Sequence, residues 1–280
     1  MNSLRIGVRL DPRHPEGGPS AVERAEAALL DGAALADRVG VDVIWVAERP
    51  TQPGALVPAV LPLCAALLAR TARIRVATGL LPLPLHHPLR VAEDAATLDG
   101  LSGGRFELGV GLGADPEGFA SYGLAREQRA DRFAEALDLI RRAWGPGPVA
   151  FQGRHFQLPP TLVVPKPVAP GGPPLWIGAR TASLQRNAAA LGAGLVLHAD
   201  DSPDAYLESA PESARLAWLL PECVDPQRGM DAAQRVLARS GDAQQVDLVF
   251  PTPSELGDGR ALEHTLQLVG ERIAPALRSA

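Results

Sequence analysis

Short runs of β-branched and other apolar residues recur along the chain, separated by longer stretches in which apolar positions repeat every three or four residues. Strand-like and helix-like patterns alternate in this way from one end to the other, which is the signature of parallel βα units. The runs predict strands at Leu4–Leu10, Val41–Glu48, Ile74–Leu81, Arg105–Gly111, Leu175–Gly178, Gly194–His198, Arg215–Leu220 and Val246–Phe250. Most are almost continuously apolar, as strands buried on both faces should be.

Helix signals fall between them. Ser20 and Glu23 have capping-box spacing ahead of a helix that stops at Gly40, and a second helix is expected over Gly54–Arg70. Pro88 suits the first position of a helix carrying Leu89, Ala92, Ala95 and Leu98, which Gly103 and Gly104 then turn. A long helix, Arg126–Trp144, places Phe133, Leu137 and Ile140 on one side, and a final one spans Arg260–Leu277. Between Gly145 and Pro174 the periodicity fails and prolines accumulate. This stretch reads as an excursion before strand five, with a small hairpin at Phe151–Leu158, and its length suggests a lid over a substrate. The expected architecture is one (β/α)₈ barrel domain, residues 1–280, with that long insertion.

Composition narrows the function. Net charge is −5, with 27 basic and 32 acidic residues interspersed, so no nucleic-acid footprint is visible. The uncharged run Gly54–Ala69 is shorter than the roughly 20 residues of a membrane span and is broken by Pro58 and Pro62. A strand begins almost at once, leaving no room for a signal peptide, so cytoplasmic residence is expected. Cys64 and Cys223 are far apart and suggest neither a disulfide nor a metal site, and inert thiols are expected. Trp45, Trp144, Trp176 and Trp218 all sit inside periodic elements, which favours packing over a stacking platform.

One continuous block, RIRVATGLLPLPLHHPLRVAEDAATLDGLSGGRFELGVGLG from Arg73 to Gly113, resembles the bacterial luciferase-like monooxygenases and their relatives that use the deazaflavin F420. DVIWVAE at Asp42–Glu48, RADRFAEALDLIRRAW at Arg129–Trp144, FQGRHFQL at Phe151–Leu158 and PPLWIGARTAS at Pro173–Ser183 support it in the family's order. The resemblance implies a barrel that holds FMN or F420 over the C-terminal ends of its strands, where barrel chemistry is expected on physical grounds too. It places Thr78, Gly79 and Leu80 behind the flavin ring, at a position where the family often has a non-prolyl cis peptide; Gly79–Leu80 is the corresponding bond. Gly111 falls in the glycine-rich turn after strand four. Gly178, Ala179, Arg180, Thr181 and Ser183 open a helix after strand five, where N–H groups, hydroxyls and a guanidinium suit a flavin phosphate. Thr181 or Ser183 would equally serve as an ordinary helix cap.

Two positions depart from the family pattern. Glu48 is followed by Arg49 and Pro50 where many members have histidine, and Leu112 stands where an arginine lies near the phosphate, a loss that Arg180 is placed to offset. Arg49 stays protonated, so it suits stabilisation of an anionic flavin or substrate oxyanion rather than general-base work. Glu48 and Arg49 are candidate catalytic residues, with a mutual ion pair at the barrel rim as the structural alternative. His198, at the end of strand six, is a third candidate; His87 reads as a helix-entry residue, and His86 has no comparable support.

The resemblance thus implies a two-component monooxygenase that takes reduced FMN from a separate flavin reductase and oxygenates a small organic molecule, as a homodimer and without a metal. F420-dependent hydride transfer is the second reading. A catalytically silent luciferase-like barrel acting as a structural or regulatory partner is the third.

Overall fold

Apolar runs that need cover on both faces reach it by closing on themselves. In this computed structural model, which describes residues 3–13, 16, 18–209, 214–221, 225–254, 256 and 259–279, eight strands form a parallel barrel. They are β1 (Ser3–Leu10), β2 (Val43–Val46), β3 (Arg75–Thr78), β4 (Phe106–Gly111), β5 (Leu175–Gly178), β6 (Gly194–His198), β7 (Arg215–Leu219) and β8 (Gln245–Pro251). Each pairs with its chain neighbour, and β1 with β8 completes the ring. A two-residue strand, Leu81–Pro82, adds to β4 at its upper end.

Alternation along each strand then separates two cores. On β1, Ile6, Val8 and Leu10 face outward and are buried under the helices, while Arg5, Gly7 and Arg9 face the interior. Inside, Val43, Trp45, Ala77, Trp176, Val196, Ala217, Leu219 and Val249 make the apolar middle. Trp45 and Trp176 meet edge to face there, ring centroids 5.3 Å apart, a contact worth about 0.5–1.5 kcal/mol beyond area burial. The other two tryptophans also pack: Trp144 Nε1 donates to the Ala92 carbonyl at 3.0 Å and Trp218 Nε1 to Ser240 Oγ at 3.0 Å.

The lower end of the interior is charged. Arg5 donates to both Glu107 (2.7 Å) and Asp247 (2.8 Å), and Arg75 adds a second cation to Glu107. Burial opposes ionisation of Glu107, but the Arg5 and Arg75 guanidiniums outweigh it and hold the carboxyl down at about 2. Trp176 Nε1 donates to the same carboxylate at 2.6 Å. This network plugs the bottom and leaves the top of the barrel to form a cavity.

Several boundaries differ from expectation for local reasons. The first helix is Pro19–Val39, opened by Pro19 at its first position after Gly18, with no side-chain cap. The Ser20–Glu23 capping box therefore does not form: Pro19 pre-sets a helical φ and starts the helix one residue early, so Ser20 lies inside the first turn and not at the cap. The second helix starts only at Val60; Pro58 pushes the residue before it out of helical geometry, so residues 50–59 form turns at the barrel mouth. Pro88 does open the helix Pro88–Ser102, with His87 as its cap, and Gly40, Gly103 and Gly104 turn with φ of 85°, 65° and 86°.

The insertion before β5 is a hairpin, Val149–Gln152 against Gln157–Thr161, followed by an irregular stretch. It is no lid: none of residues 145–174 lines the cavity. Glu135 fixes its tip by accepting N–H bonds from Arg154, His155 and Phe156. Its return leg is tied to helix C-terminal ends at the opposite pole, by Val168 N–H to Asp99 (2.7 Å) and Lys166 Nζ to the Ala143 carbonyl (2.8 Å). Among the described residues no helix is long and apolar enough to cross a membrane.

Candidate functional site

Interior positions at the upper ends of the strands carry small residues: Gly79 after β3, Gly111 ending β4, Gly178 ending β5. Missing side chains there give room to Trp45 and Leu80, and a cavity of about 450 Å³ opens at the C-terminal mouth, within the usual range for small-molecule sites. The Gly79–Leu80 peptide is cis, and the Leu80 side chain forms part of the floor between Gly111 and Gly178. Of the predicted residues, Glu48, Arg49, Gly79, Leu80, Gly111, Gly178, Ala179, Arg180, Thr181 and His198 all line this one cavity. Thr78 and Ser183 do not. Thr78 is fully buried behind the wall, where its hydroxyl donates to the Gly109 carbonyl (2.7 Å) and accepts from Gly109 N–H (2.8 Å). Ser183 lies exposed in the first turn of the helix Ala182–Ala190.

The charged rim is arranged differently from the simplest expectation. Glu48 and Arg49 do not pair with each other. Glu48 accepts from Val60 N–H at 3.2 Å and faces His86 Nε2 at 3.0 Å. Arg49 turns instead to Asp11, with Nε to Oδ1 at 2.7 Å and a second contact through its terminal nitrogen. Adjacent side chains leave a strand end in opposite directions, so the two groups reach different neighbours. Asp11 also receives Arg9 at 3.2 Å. Burial opposes ionisation of Asp11, but its bond to Arg49 and the nearby Arg9 charge hold the carboxyl below its usual range.

Across the mouth, Arg180 Nε donates to Asp201 at 3.0 Å, and the other Asp201 oxygen accepts the His198 backbone N–H at 2.9 Å. Thr181 caps the helix Ala182–Ala190 by accepting from Leu184 N–H at 3.4 Å. The capping reading of Thr181 therefore holds, while Arg180, with 78% of its side chain exposed, keeps its terminal nitrogens free of protein hydrogen bonds among the described residues. Partial burial pushes His198 below its usual value, and Arg9 and Arg180 reinforce this against Asp201. Cys64 is buried, and burial with the nearby Glu48 charge pushes its thiol far up, consistent with an inert group. Cys223 lies outside the described residues.

Sequence reasoning missed Arg9, Asp11, His86, Asp201 and Phe119. Arg9 and Asp11 carried one available signal, a period-2 charged pair at the end of β1. Phe119 comes from Pro116–Ser121, a short helix capped by Asp115 that roofs the cavity and that no periodicity announces.

A model of the luciferase-like monooxygenase family matches residues 4–218. The chain belongs to that family. Among its relatives is the 4-hydroxyprotoasukamycin monooxygenase of Streptomyces nodosus subsp. asukaensis, 34% identical over 62% of this chain and 47% of the relative. The F420-dependent glucose-6-phosphate dehydrogenase of Nakamurella multipartita is 29% identical over 88% of this chain and 69% of the relative. The chain spans about half the length of several curated relatives it matches. In structure it is similar to the oxygenating constituent of 3,6-diketocamphane monooxygenase from the CAM plasmid of Pseudomonas putida, a type II Baeyer–Villiger monooxygenase in complex with FMN. The TM-score is 0.78, with 17% identity over 98% of each chain. This luciferase-like barrel carries its cavity at the C-terminal ends of its strands.

Proposed function

We propose that the protein is a flavin-dependent oxidoreductase, and in the first instance the oxygenase component of a two-component monooxygenase that uses reduced FMN and O₂ on a small organic molecule. The observation that carries the reading is the convergence of ten candidate positions from β2, β3, β4, β5 and β6 on one cavity. The residues present suit a flavin: a Cβ built on Gly178 would run into Leu80 and one on Gly111 would sit 3.2 Å from it, so these glycines seat the Leu80 side chain between them as part of the cavity floor, an apolar surface suited to a planar ring. Reduced FMN, when bound, supplies the electrons that activate O₂.

The chain's own residues supply position, exclusion of water and charge. Arg180 and the start of the helix Ala182–Ala190, with Gly178, Ala179, Thr181 and Ser183, are assigned to the phosphate. Leu80 and Gly79, backed by Thr78, and Gly111 are assigned to the ring. Leu80, Phe119, Leu184 and Leu219 exclude water from its surroundings. Glu48 holds its carboxylate at the cavity wall between Val60 N–H and His86, Arg49 presents a fixed positive charge, and neutral His198 offers a hydrogen-bonding nitrogen at the rim. A separate flavin reductase as electron source, a homodimer and a cytoplasmic setting belong to the same proposal. The two-component reading draws on the neighbour named as an oxygenating constituent.

Hydride transfer with F420 is the second reading, favoured by the relative that covers 88% of this chain. Anaerobic calorimetric titration with reduced FMN and, separately, with F420 tests both. One-per-chain binding of reduced FMN, weakened by Arg180→Ala, is expected. Binding of F420 alone moves the assignment to the second reading, and binding of neither leaves a silent barrel.

A further inference from the structure

We propose that Arg9, Asp11 and Arg49 form a receptor for a carboxylate on the organic substrate, which deepens the oxidoreductase reading by naming its substrate class and rests on that reading. Two guanidiniums share one carboxylate here. Arg49 holds Asp11 through Nε at 2.7 Å and through its terminal nitrogen, and Arg9 reaches the same carboxylate at 3.2 Å. The group therefore keeps one positive charge in excess, on two side chains that remain protonated and present planar forks of donors.

Arg9 is the less satisfied of the two. Its Nε is buried and has no hydrogen-bond partner among the described residues, so its loss of hydration goes uncompensated. Burial pushes the Arg9 guanidinium below its usual value; Asp11 opposes this and the Arg49 charge adds to it. Both side chains line the cavity, so an anion arriving there offsets the desolvation of the Arg9 guanidinium and meets terminal donors that Asp11 leaves unused, with Gln52 Oε1 accepting from Arg49 only at 3.5 Å.

Of the other charged side chains at the mouth, Arg180 keeps free terminal donors but is assigned to the flavin phosphate, and Glu48 and Asp115 are engaged. Arg180 is paired with Asp201, the Glu48 oxygens face Val60 N–H and His86, and the Asp115 oxygens cap the helix Pro116–Ser121. Position separates the cluster from the assigned phosphate site as well. Arg9 ends β1 and Arg180 follows β5, and these strands lie opposite each other in the ring. Between them the walls are apolar, with Leu80, Phe119 and Leu219 prominent. An apolar body ending in one carboxylate fits that distribution; a polyanion does not, because a single excess charge answers it.

The test uses benzoate, phenylacetate and hexanoate, each against its neutral amide, titrated into the protein without cofactor and again with saturating reduced FMN under anaerobic conditions. At least one carboxylate is expected to bind saturably and at least about tenfold more tightly than its amide. Arg9→Gln and Arg49→Gln, checked for native circular dichroism, should each remove most of that preference, and Arg9→Gln should leave reduced-FMN affinity unchanged. If Arg9→Gln does not fold, Arg49→Gln carries the comparison alone. Equal affinity for acid and amide, no carboxylate binding, or loss of reduced-FMN binding in the variants with carboxylate binding intact overturns the proposal. Failure of the unaltered protein to bind reduced FMN counts against the oxygenase reading alone, since the carboxylate preference is read without cofactor too.

Discussion

Glu48 Oε2 and His86 Nε2 lie 3.0 Å apart, joining the end of β2 to the turn before the helix Pro88–Ser102 across 38 positions of sequence. The carboxylate is only 3% exposed while the imidazole is 28% exposed, so the histidine covers a group that would otherwise meet the cavity with one oxygen unpaired. The other oxygen accepts from Val60 at the first turn of its helix, where the helix dipole favours negative charge.

Replacing His86 by leucine should therefore destabilise the protein by about 1.5–3 kcal/mol, the range for a lost hydrogen bond to a charged group. Glu48→Gln, which keeps an acceptor for Val60 and offers a donor to the imidazole, should cost less. Urea unfolding of the two variants checks this, and a His86→Leu loss below about 0.5 kcal/mol would mean the contact contributes nothing beyond solvent exchange.

The barrel strands were legible because a strand buried on both faces must be apolar throughout, as Val43–Val46 and Gly194–His198 nearly are. The site was legible only in part. Gly79, Gly111 and Gly178 announce themselves as absences of side chain at strand ends, but the partners of Arg49 and Arg180 come from the residue after β1 and from the turn after β6, and such pairings depend on ring closure that no local pattern encodes. The lid expectation failed for a related reason. Irregular composition over Gly145–Pro174 marks a loop without saying which pole it visits, and Glu135, Asp99 and the Ala143 carbonyl decide that in space.

At the closed end, Glu107 holds Arg5 and Arg75 together, and the carboxylate is 1% exposed. Glu107→Gln strips Arg75 of its carboxylate partner and leaves Arg5 with Asp247 alone, a buried carboxyl whose own ionisation burial already opposes. Breaking a buried charge pair from one side costs about 3–5 kcal/mol. A drop of that size in urea-unfolding free energy is expected, with reduced-FMN affinity preserved in whatever fraction folds, because the network lies at the opposite end from the cavity.

His198 carries a pH signature. Partial burial is the leading cause that lowers its affinity for protons below that of a free histidine at 6.5, with Arg9 and Arg180 in the same direction and Asp201 opposed. The unfolded chain thus binds this proton more readily than the folded one. The contribution to stability is present above 6.5 and is lost as pH falls from 6.5 through the folded midpoint. NMR titration of the His198 ring should give a midpoint below 6.5; Arg9→Gln should raise it and Asp201→Asn should lower it further. A midpoint at or above 6.5 in the unaltered protein would contradict the assignment of burial as the dominant influence.

Gly109, behind the cavity wall, and Gly178, in it, separate folding from binding. A Cβ on Gly109 would collide with the Thr78 carbonyl, which belongs to backbone that the paired Thr78–Gly109 hydrogen bonds hold in place. Neither strand can give way, so Gly109→Ala should cost about 3 kcal/mol or more, at the upper end of overpacking penalties. A Cβ on Gly178 would instead meet the far end of the Leu80 side chain, which can swing aside at a cost of about 1 kcal/mol. Because Leu80 forms part of the cavity floor, its displacement falls on the space assigned to the flavin ring. Gly178→Ala is therefore expected to keep a near-native melting temperature and lose reduced-FMN affinity, whereas Gly109→Ala loses the fold first. Normal reduced-FMN affinity in a well-folded Gly178→Ala protein would place the ring away from Leu80.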